Sequence, residues 1–403
     1  MNNRFICDLP WVHLSVMPHG VSSVCCVADH SNPMSRARSE YKQINAATST
    51  VDDIINSDTY KQIRLDMLAG KVPAACSTCK KVEDVGGLSK RLRDGSKLKL
   101  DYDALTDDTG KIAMDLRNVE LRLGNYCNLK CRSCNAESST SWIQDYNKLK
   151  NIVKLPSSYD SVLANPSSDY SWCEKDEFYD RVIAASPNLH EMHISGGEPF
   201  LVPKHFNLLH KLIDMGKTDV FIHYVTNLNY NFDKLLPALE LLKQFKYVSI
   251  SFSIDDVTER NSYIRKLSDW ELTVSNLKKF LTEYPQLHYS VTQTVSVLNF
   301  LTIEELYYYL IKHNCMPRYG VRVNHVHAPE YLSPLVLPMS VRQQKIDSLV
   351  SMLPPEMVDN LRGRYYFAPQ NDLLCEFKQV TAAIDDVRNE DFKKIFPRLN
   401  NLL

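Results

Sequence analysis

Alternation of apolar and polar residues predicts a series of strands from the middle of the chain onward. Val119, Leu121 and Leu123 alternate with polar residues, and Gly124 ends the predicted strand. Five further strands are predicted near residues 190–195, 219–225, 247–254, 289–296 and 320–325. Helical spacing predicts helices near residues 203–215, 232–244, 270–283 and 302–313. Six βα-type units in series favour an α/β fold, a partial (β/α)6 barrel of the TIM type.

The segment before this series predicts a smaller α+β unit. Residues 11–17 and 21–26 have the pattern of two paired strands. Residues 51–69 have helical spacing, which Gly70 and Pro73 end. We therefore expect three domains: a small domain at residues 1–110, the barrel at 111–325 and a barrel-closing extension at 326–403.

Three stretches lack the regular pattern of their neighbours. Residues 80–100 are basic and favour a solvated linker, or else a wall that faces an anionic substrate. Residues 101–110 are acidic and rich in turn residues, which is typical of a domain boundary. Residues 151–175 contain Pro and Ser where periodicity breaks, and we interpret them as an insertion in the barrel.

Composition narrows the class of protein. The 403 residues are 44% apolar, which supports a sizeable core, and a net charge of −1 gives no general attraction to nucleic acid or membrane. Residues 1–20 have no secretory signal pattern, and no apolar run approaches the ~18 residues of a membrane-spanning helix. Eight of the 11 cysteines precede residue 135. We expect a cytoplasmic protein, where clustered cysteines indicate metal more often than disulfide.

Three cysteines directly follow the first predicted barrel strand. Cys127, Cys131 and Cys134 have the spacing C-x3-C-x2-C. A tetrahedral zinc site needs four protein ligands, so these three could be part of a zinc site completed from elsewhere. Three thiolates also suit a four-iron cluster that keeps one iron open to a ligand that is not protein. Active residues of such barrels lie at the carboxyl ends of strands, which is where this loop is predicted.

This spacing resembles the signature of the radical S-adenosylmethionine (SAM) enzymes. In that family the three cysteines hold a [4Fe–4S] cluster, and the amino and carboxylate groups of SAM chelate its fourth iron. The resemblance implies that one electron from the cluster cleaves SAM to methionine and a 5′-deoxyadenosyl radical. That radical then abstracts a hydrogen atom from a substrate.

A second family motif follows the second predicted strand. Ser195-Gly-Gly-Glu-Pro199 contains paired glycines, which let the backbone approach a ligand closely. It resembles the GGEP motif of radical SAM enzymes, which implies that Gly196, Gly197 and Glu198 receive the amino group of SAM. The alternative is an ordinary Gly-Gly turn.

Further residues at strand ends match the family one by one. Ser253 and Asp255 resemble the Ser-x-Asp that binds the SAM ribose, and Arg265 resembles the arginine that pairs with the methionine carboxylate. The guanidinium fork suits a carboxylate, although a surface arginine capped by Asp255 is the alternative. Asn299 corresponds to an asparagine near the adenine or the substrate. Leu228 stands where relatives have the glycine of a Thr-Asn-Gly turn, which weakens the match there.

The N-terminal cysteines have a different spacing. Cys7-x12-Gly20-x4-Cys25, followed by a helix and Cys76-x2-Cys79, resembles the SPASM and twitch domains that bind auxiliary iron–sulfur clusters. The resemblance implies one auxiliary [4Fe–4S] cluster held by Cys7, Cys25, Cys76 and Cys79. Cys26 is an alternative to Cys25, and a structural zinc on the same sulfurs is an alternative to iron. The cysteines of a second auxiliary cluster are missing, so we expect only one.

The resemblance implies hydrogen abstraction from a peptide or protein, leading to oxidation, cross-linking or epimerisation. A small-molecule substrate, such as a sugar, nucleotide or metabolite, is the alternative, and a non-enzymatic zinc or iron–sulfur module is a more distant one. Flavodoxin or ferredoxin is the kind of electron donor expected. Four thiols are candidate hydrogen-atom donors: Cys26, Cys173, Cys315 and Cys375.

Overall fold

The computed structural model describes residues 5–29, 32–40, 42–84, 86–95, 97–98, 100–156, 159 and 169–403. The chain divides into two compact units. The first unit comprises Met1–Asn125, Asn165–Tyr224 and Ala238–Val248, and the second comprises Tyr126–Ala164, Val225–Pro237 and Ser249–Leu403. Within the described ranges, each helix is too short or too polar to span a membrane.

Strands and helices alternate through most of the described chain. The strands are β1 His13–Val16, β2 Ser22–Ser23, β3 Arg38–Ser39, β4 Lys42–Gln43, β5 Asn118–Leu123, β6 Glu191–Gly196, β7 Phe221–Thr226, β8 Tyr247–Ser253, β9 His288–Val295 and β10 Val321–His325. The α-helices are Leu9–Val12, Val51–Ile55, Asp58–Leu68, Ser77–Asp84, Lys90–Asp94, Tyr102–Leu105, Ile143–Leu149, Asp176–Ala184, Phe206–Asp214, Leu236–Leu242, Thr258–Ile264, Trp270–Glu283, Ile303–Lys312, Met339–Leu349, Pro355–Leu361, Leu374–Arg388, Phe392–Ile395 and Pro397–Asn400. The predicted α/β class is confirmed, with parallel strands separated by helices.

In the first unit, the N-terminal strand joins the strands of the predicted barrel. β1 pairs with β2 in antiparallel orientation and with β5 in parallel orientation. β5 pairs with β6, and β6 with β7, both in parallel. The sequence predicted the β1–β2 pair but not the pairing of β1 with β5. The strand begins at His13 rather than at residue 11, because Leu9–Val12 is a helix with proline in its first turn.

The register of these strands separates an apolar face from a polar one. Leu14, Val119, Met192 and Ile222 are consecutive cross-strand partners, and all are fully buried. One residue further along each strand, the partners are Ser15, Glu120, His193 and His223. Because successive side chains of a strand point to opposite faces, this second row lies on the other face of the sheet.

In the second unit, β8, β9 and β10 are parallel neighbours. The ring of Phe252 on β8 packs 5.1 Å from that of Phe280, which belongs to the helix Trp270–Glu283. The segment at 326–403 contains the long helix Leu374–Arg388. Burial of Phe377, Val380 and Ile384 fixes this helix on the unit's core.

Three local predictions need correction. The helix predicted at 51–69 is two helices, since Asn56 and Ser57 between them are not helical. The insertion predicted at 151–175 is described in part: residues 157–158 and 160–168 lie outside the described residues, and Tyr170–Glu174 is a short 3-10 helix. The helix Asp176–Ala184 that follows was not predicted.

Candidate active site

The loop that carries Cys127, Cys131 and Cys134 belongs to the second unit and is fixed by the residues that follow it. The amide of Leu129 donates to Cys127 Sγ over 3.5 Å, and the amide of Cys134 donates to the Cys131 carbonyl over 3.0 Å. Trp142 Nε1 donates to that same carbonyl over 2.8 Å. The backbone of the loop is therefore held by its own turns and by the indole of Trp142.

The three thiols act on one another electrostatically. Burial raises the pKa of the Cys134 thiol, and the negative charges that Cys131 and Cys127 would carry raise it further. Burial also raises the pKa of Cys131, against the lowering effect of Arg265. Iron ligation requires thiolates, and thiols that oppose each other's ionisation need a bound cation to become thiolates together. This donor set therefore fits a metal cluster.

Asp255 lies at the end of β8 and is held from several sides within the second unit. Its backbone carbonyl accepts from Asn299 Nδ2 over 2.7 Å and from Gln293 Nε2 over 3.1 Å. Its carboxylate accepts from the amide of Thr294 over 2.9 Å. Asn299 thus serves as a support for Asp255, a contact that the sequence did not predict.

Arg265 approaches both the cysteine loop and Asp255. Its Nη1 donates to Asp255 Oδ2 over 3.0 Å. Burial works to lower the pKa of Arg265. The negative charges of Cys131, Asp255 and Cys127 outweigh this effect, so the pKa is raised. The side chain is only 12% exposed, so Arg265 is not the surface arginine of the alternative interpretation. Its Nε is buried and makes no hydrogen bond within the described part of the chain.

Three further residues lie at strand ends of the second unit. Asn227, just after β7, donates to Asn128 Oδ1 over 2.9 Å and to Cys127 Sγ over 3.8 Å. Leu228, at the position of the family's glycine, adopts a φ of 63°, the left-handed conformation that favours glycine. Ser253 is the last residue of β8, where Thr292 is its register partner.

The GGEP turn lies in the first unit at the end of β6. Gly196 has a φ of 127°, and a Cβ there would lie 2.4 Å from the amide nitrogen of Leu123, so only glycine fits. The amide of Gly197 donates to the Gly124 carbonyl over 3.2 Å. Glu198 is 1% exposed, and its carboxylate accepts from the amide of Phe200 over 3.3 Å.

The four N-terminal cysteines assigned to the auxiliary cluster meet in the first unit. Cys7, Cys25, Cys76 and Cys79 line one pocket that is partly open to solvent. Gly95 packs closely against Cys7, because a Cβ at that position would lie 2.3 Å from Cys7 Sγ. Burial raises the pKa of Cys7 and of Cys76 to about 12, and neighbouring thiols add to both shifts. These four thiols therefore also fit a metal cluster, whose positive charge would favour their thiolate forms.

Cys25 and its neighbour Cys26 face different surroundings. Cys25 lines the pocket; burial raises its pKa, and the charge of Cys26 and then those of Cys7 and Cys76 raise it further. Cys26 instead hydrogen-bonds to Glu120, and burial followed by the Glu120 charge raises its pKa. The geometry therefore places Cys25, rather than Cys26, with the other three thiols.

The expectation of a solvated linker at 80–100 is wrong for part of that stretch. Lys90 and Arg91 line the cysteine pocket from the helix Lys90–Asp94. Arg91 donates to Glu83 over 2.9 Å through Nε and to the Ile6 carbonyl over 2.9 Å through Nη1. The local signals for this short helix were Ser89 as its N-cap, Gly95 after its end and the Lys90–Asp94 spacing, which suits an i,i+4 ion pair.

Three further candidate thiols, and a histidine at the end of β10, differ in their surroundings. Cys173 and Cys315 are buried, whereas Cys375 is exposed. His325 bonds through its ring nitrogens to Tyr365 and Asn360 over 2.8 and 2.5 Å. Among the described residues, no group of three or more His, Cys, Asp or Glu side chains is arranged to hold a single metal ion.

Comparison with protein families matches both cysteine regions. The model of the radical SAM superfamily matches residues 121–309, and the model of the SPASM iron–sulfur cluster-binding domain matches residues 7–80. The chain therefore contains a radical SAM domain and a SPASM iron–sulfur domain. These two domains imply [4Fe–4S] clusters and SAM as cofactors.

Solved structures give distant likenesses. Native anSMEcpe with bound AdoMet is 14% identical, covers 58% of this chain and 59% of its own, and has a TM-score of 0.39. The same protein with AdoMet and the Cp18Cys peptide is 16% identical over 58% of each chain, with a TM-score of 0.38. SuiB from Streptococcus suis bound to S-adenosylmethionine is 15% identical, covers 77% of this chain and 64% of its own, and has a TM-score of 0.34. The matched part is less than two thirds of each of these proteins. No curated protein matches the chain.

Proposed function

We propose that this radical SAM enzyme cleaves SAM reductively and abstracts hydrogen from a peptide or protein substrate, with one auxiliary cluster. The observation that carries the proposal is the position of Arg265, which interacts with Asp255 and with the thiols of Cys127 and Cys131. When bound, the clusters and SAM supply the electron transfer and the radical chemistry. The chain's own residues bind and orient these groups.

The residues around SAM have separate tasks in this proposal. Cys127, Cys131 and Cys134 hold the cluster, and Arg265 binds the methionine carboxylate through guanidinium atoms that Asp255 does not occupy. Its buried Nε supports this role, since a buried donor without a hydrogen bond is costly unless a ligand satisfies it.

Two further sets of residues receive the rest of SAM. Ser253 and Asp255 bind the ribose. Asn299 keeps Asp255 in place, because its Nδ2 donates to the backbone carbonyl of Asp255. Gly196, Gly197 and Glu198 receive the amino group, because the glycine backbone allows close approach and a buried carboxylate attracts an ammonium. The domains expected at 1–110, 111–325 and 326–403 remain part of the same proposal.

The auxiliary cluster is assigned to Cys7, Cys25, Cys76 and Cys79. Their shared pocket and the contributions of these thiols to one another's pKa support a common ligand. Lys90 and Arg91 add positive charge to the wall of the pocket, which would stabilise the anionic thiolates. The cluster would accept an electron from a substrate radical or anchor the substrate.

The choice of a peptide substrate rests on the SPASM domain, and a small molecule is the second candidate. A polar row on the first unit supports a hydrogen-bonding substrate of either kind. Glu120, His193 and His223 follow one another across the strands, and the two histidine rings lie 4.8 Å apart. A flavodoxin or ferredoxin would supply the electrons.

Anaerobic reconstitution tests the proposal. Full-length protein should bind about eight irons per chain, as two four-iron clusters require. With dithionite it should convert SAM to 5′-deoxyadenosine and methionine. A colourless protein that binds stoichiometric zinc and leaves SAM intact would contradict the proposal and favour a binding module.

A further inference from the structure

We propose that Arg388, at the end of the C-terminal helix Leu374–Arg388, is a positioning residue that raises the reduction potential of the cluster at Cys127, Cys131 and Cys134. The inference rests on the proposed function, since it requires that these three cysteines hold the SAM cluster. Arg388 lies 254 residues after Cys134 in the chain, but both belong to the second unit.

A short chain of contacts connects Arg388 to the cysteine loop. The Arg388 side chain is 0% exposed, and its Nε donates to Asp145 Oδ2 over 2.7 Å. Its guanidinium carbon lies 4.4 Å from the ring centroid of Trp142. Trp142 in turn donates through Nε1 to the Cys131 carbonyl over 2.8 Å. A buried cation is thus separated from the Cys131 backbone by one indole ring.

The local charges do not cancel. Asp145, whose side chain is 4% exposed, also binds Lys130 Nζ over 2.8 Å, and Lys130 precedes Cys131 directly. Two cations therefore share one carboxylate. The Nη1 and Nη2 atoms of Arg388 are buried and make no hydrogen bond in the described part of the chain. The net positive charge of this group is accordingly only partly neutralised by protein acceptors.

Such a charge acts on the cysteine sulfurs. The Arg388 guanidinium lies 4.4 Å from the Trp142 ring centroid, and that ring donates to the Cys131 carbonyl, so the charge is held one ring away from a cluster ligand. Reduction adds one negative charge to an iron–sulfur cluster. A cation held in a poorly hydrated surrounding stabilises added negative charge more strongly than it would in water. Charge and hydrogen bonding around the sulfurs are among the features that set cluster potentials.

A second ion-pair group holds the end of this helix in position. Arg132 in the cysteine loop binds Glu390 over 2.8 Å and also binds Asp385. Lys266 binds Glu390 over 3.0 Å. These pairs flank Arg388 on both sides in sequence, so the helix end cannot shift away from the loop without breaking them.

The test measures the potential of full-length, anaerobically reconstituted protein by a redox titration followed by electron paramagnetic resonance. Addition of SAM identifies the relevant cluster, because only the signal of the SAM cluster should change. Arg388→Gln should lower its midpoint potential by about 59 mV, a tenfold change in a one-electron equilibrium. Arg388→Lys, which keeps the charge, should leave the midpoint potential close to the wild-type value. Iron content should stay at the wild-type value in both variants.

Lys378→Gln is the matched control, because Lys378 is an exposed cation of the same helix whose Nζ bonds to the Leu403 carbonyl. It should leave the potential unchanged. The inference is overturned if Arg388→Gln shifts the potential no more than Lys378→Gln, or if Arg388→Lys shifts it as far as Arg388→Gln. Absence of a SAM-sensitive cluster signal in the wild type would instead refute the proposed function.

Discussion

Arg265 Nη1 lies 3.0 Å from Asp255 Oδ2; the Asp255 side chain is buried at 1% exposure, and that of Arg265 is 12% exposed. The pair leaves the rest of the guanidinium, including a buried Nε without a hydrogen bond in the described chain, available to a ligand. Asp255 is itself fixed by Asn299 and by the amide of Thr294. The fork of Arg265 is therefore oriented before a carboxylate arrives.

Replacement of Arg265 should weaken SAM binding more than it alters the cluster. Arg265→Gln removes a charge-assisted contact of about 1.5–3 kcal/mol, which corresponds to a roughly 10- to 100-fold rise in the Kd for SAM. Equilibrium binding to the reconstituted protein measures this. Arg322→Gln, at an exposed arginine of β10, is the control and should leave the Kd unchanged. Equal Kd values for the two variants would refute the role of Arg265.

The two adjacent thiols Cys25 and Cys26 should differ in iron binding. Cys25 lines the four-cysteine pocket, whereas Cys26 bonds to Glu120. Cys25→Ala should therefore lose about four of the eight irons expected for two clusters, and Cys26→Ala should keep them. Iron and sulfide analysis after reconstitution decides this, and the reverse pattern would assign Cys26 as the ligand.

The two cysteine sets should divide the reaction between them. Cys76→Ala removes a ligand of the auxiliary site alone, so slow formation of 5′-deoxyadenosine should persist while substrate turnover is lost. Cys127→Ala should abolish formation of 5′-deoxyadenosine altogether. Chromatographic detection of 5′-deoxyadenosine measures both variants. If they behave alike, the proposed division between the sites is wrong.

Local patterns predicted most strands and helices, because alternation and helical spacing are properties of neighbouring residues. The cysteine spacings likewise predicted two sets of thiols. The cysteine spacing alone could not decide which of Cys25 and Cys26 lines the pocket. The two residues are adjacent in sequence, and only the fold distinguishes their surroundings. The pairing of Asp145 with Arg388 spans 243 residues and carries no sequence signal.

Stability should fall in mild acid because of His205. This residue is fully buried, its Nε2 lies 2.7 Å from the Tyr224 hydroxyl oxygen, and burial lowers its pKa from 6.5 to about 4. Below pH 6.5 the unfolded chain binds a proton that the folded chain does not bind until about pH 4. The free energy of unfolding should thus fall by up to about 3 kcal/mol over this range.

Chemical denaturation of the cysteine-reduced apoprotein between pH 7 and pH 4 measures this effect. In His205→Gln the free energy of unfolding should fall by about 3 kcal/mol less between pH 7 and pH 4 than it does in the wild type. His210→Gln, at an exposed position of the helix Phe206–Asp214 that follows His205, should leave the dependence as it is. A wild-type slope in His205→Gln would show that His205 is not held neutral by the fold.

The central claim is that Cys127, Cys131 and Cys134 leave one iron of a cluster open and that SAM binds there. Electron–nuclear double resonance of the reduced protein with SAM labelled by ¹⁵N at the amino group tests it most directly. We predict ¹⁵N coupling to the cluster in the wild type and in Cys76→Ala, and no coupling in Cys131→Ala. Absence of coupling in a wild-type protein that holds its full iron content would contradict the claim.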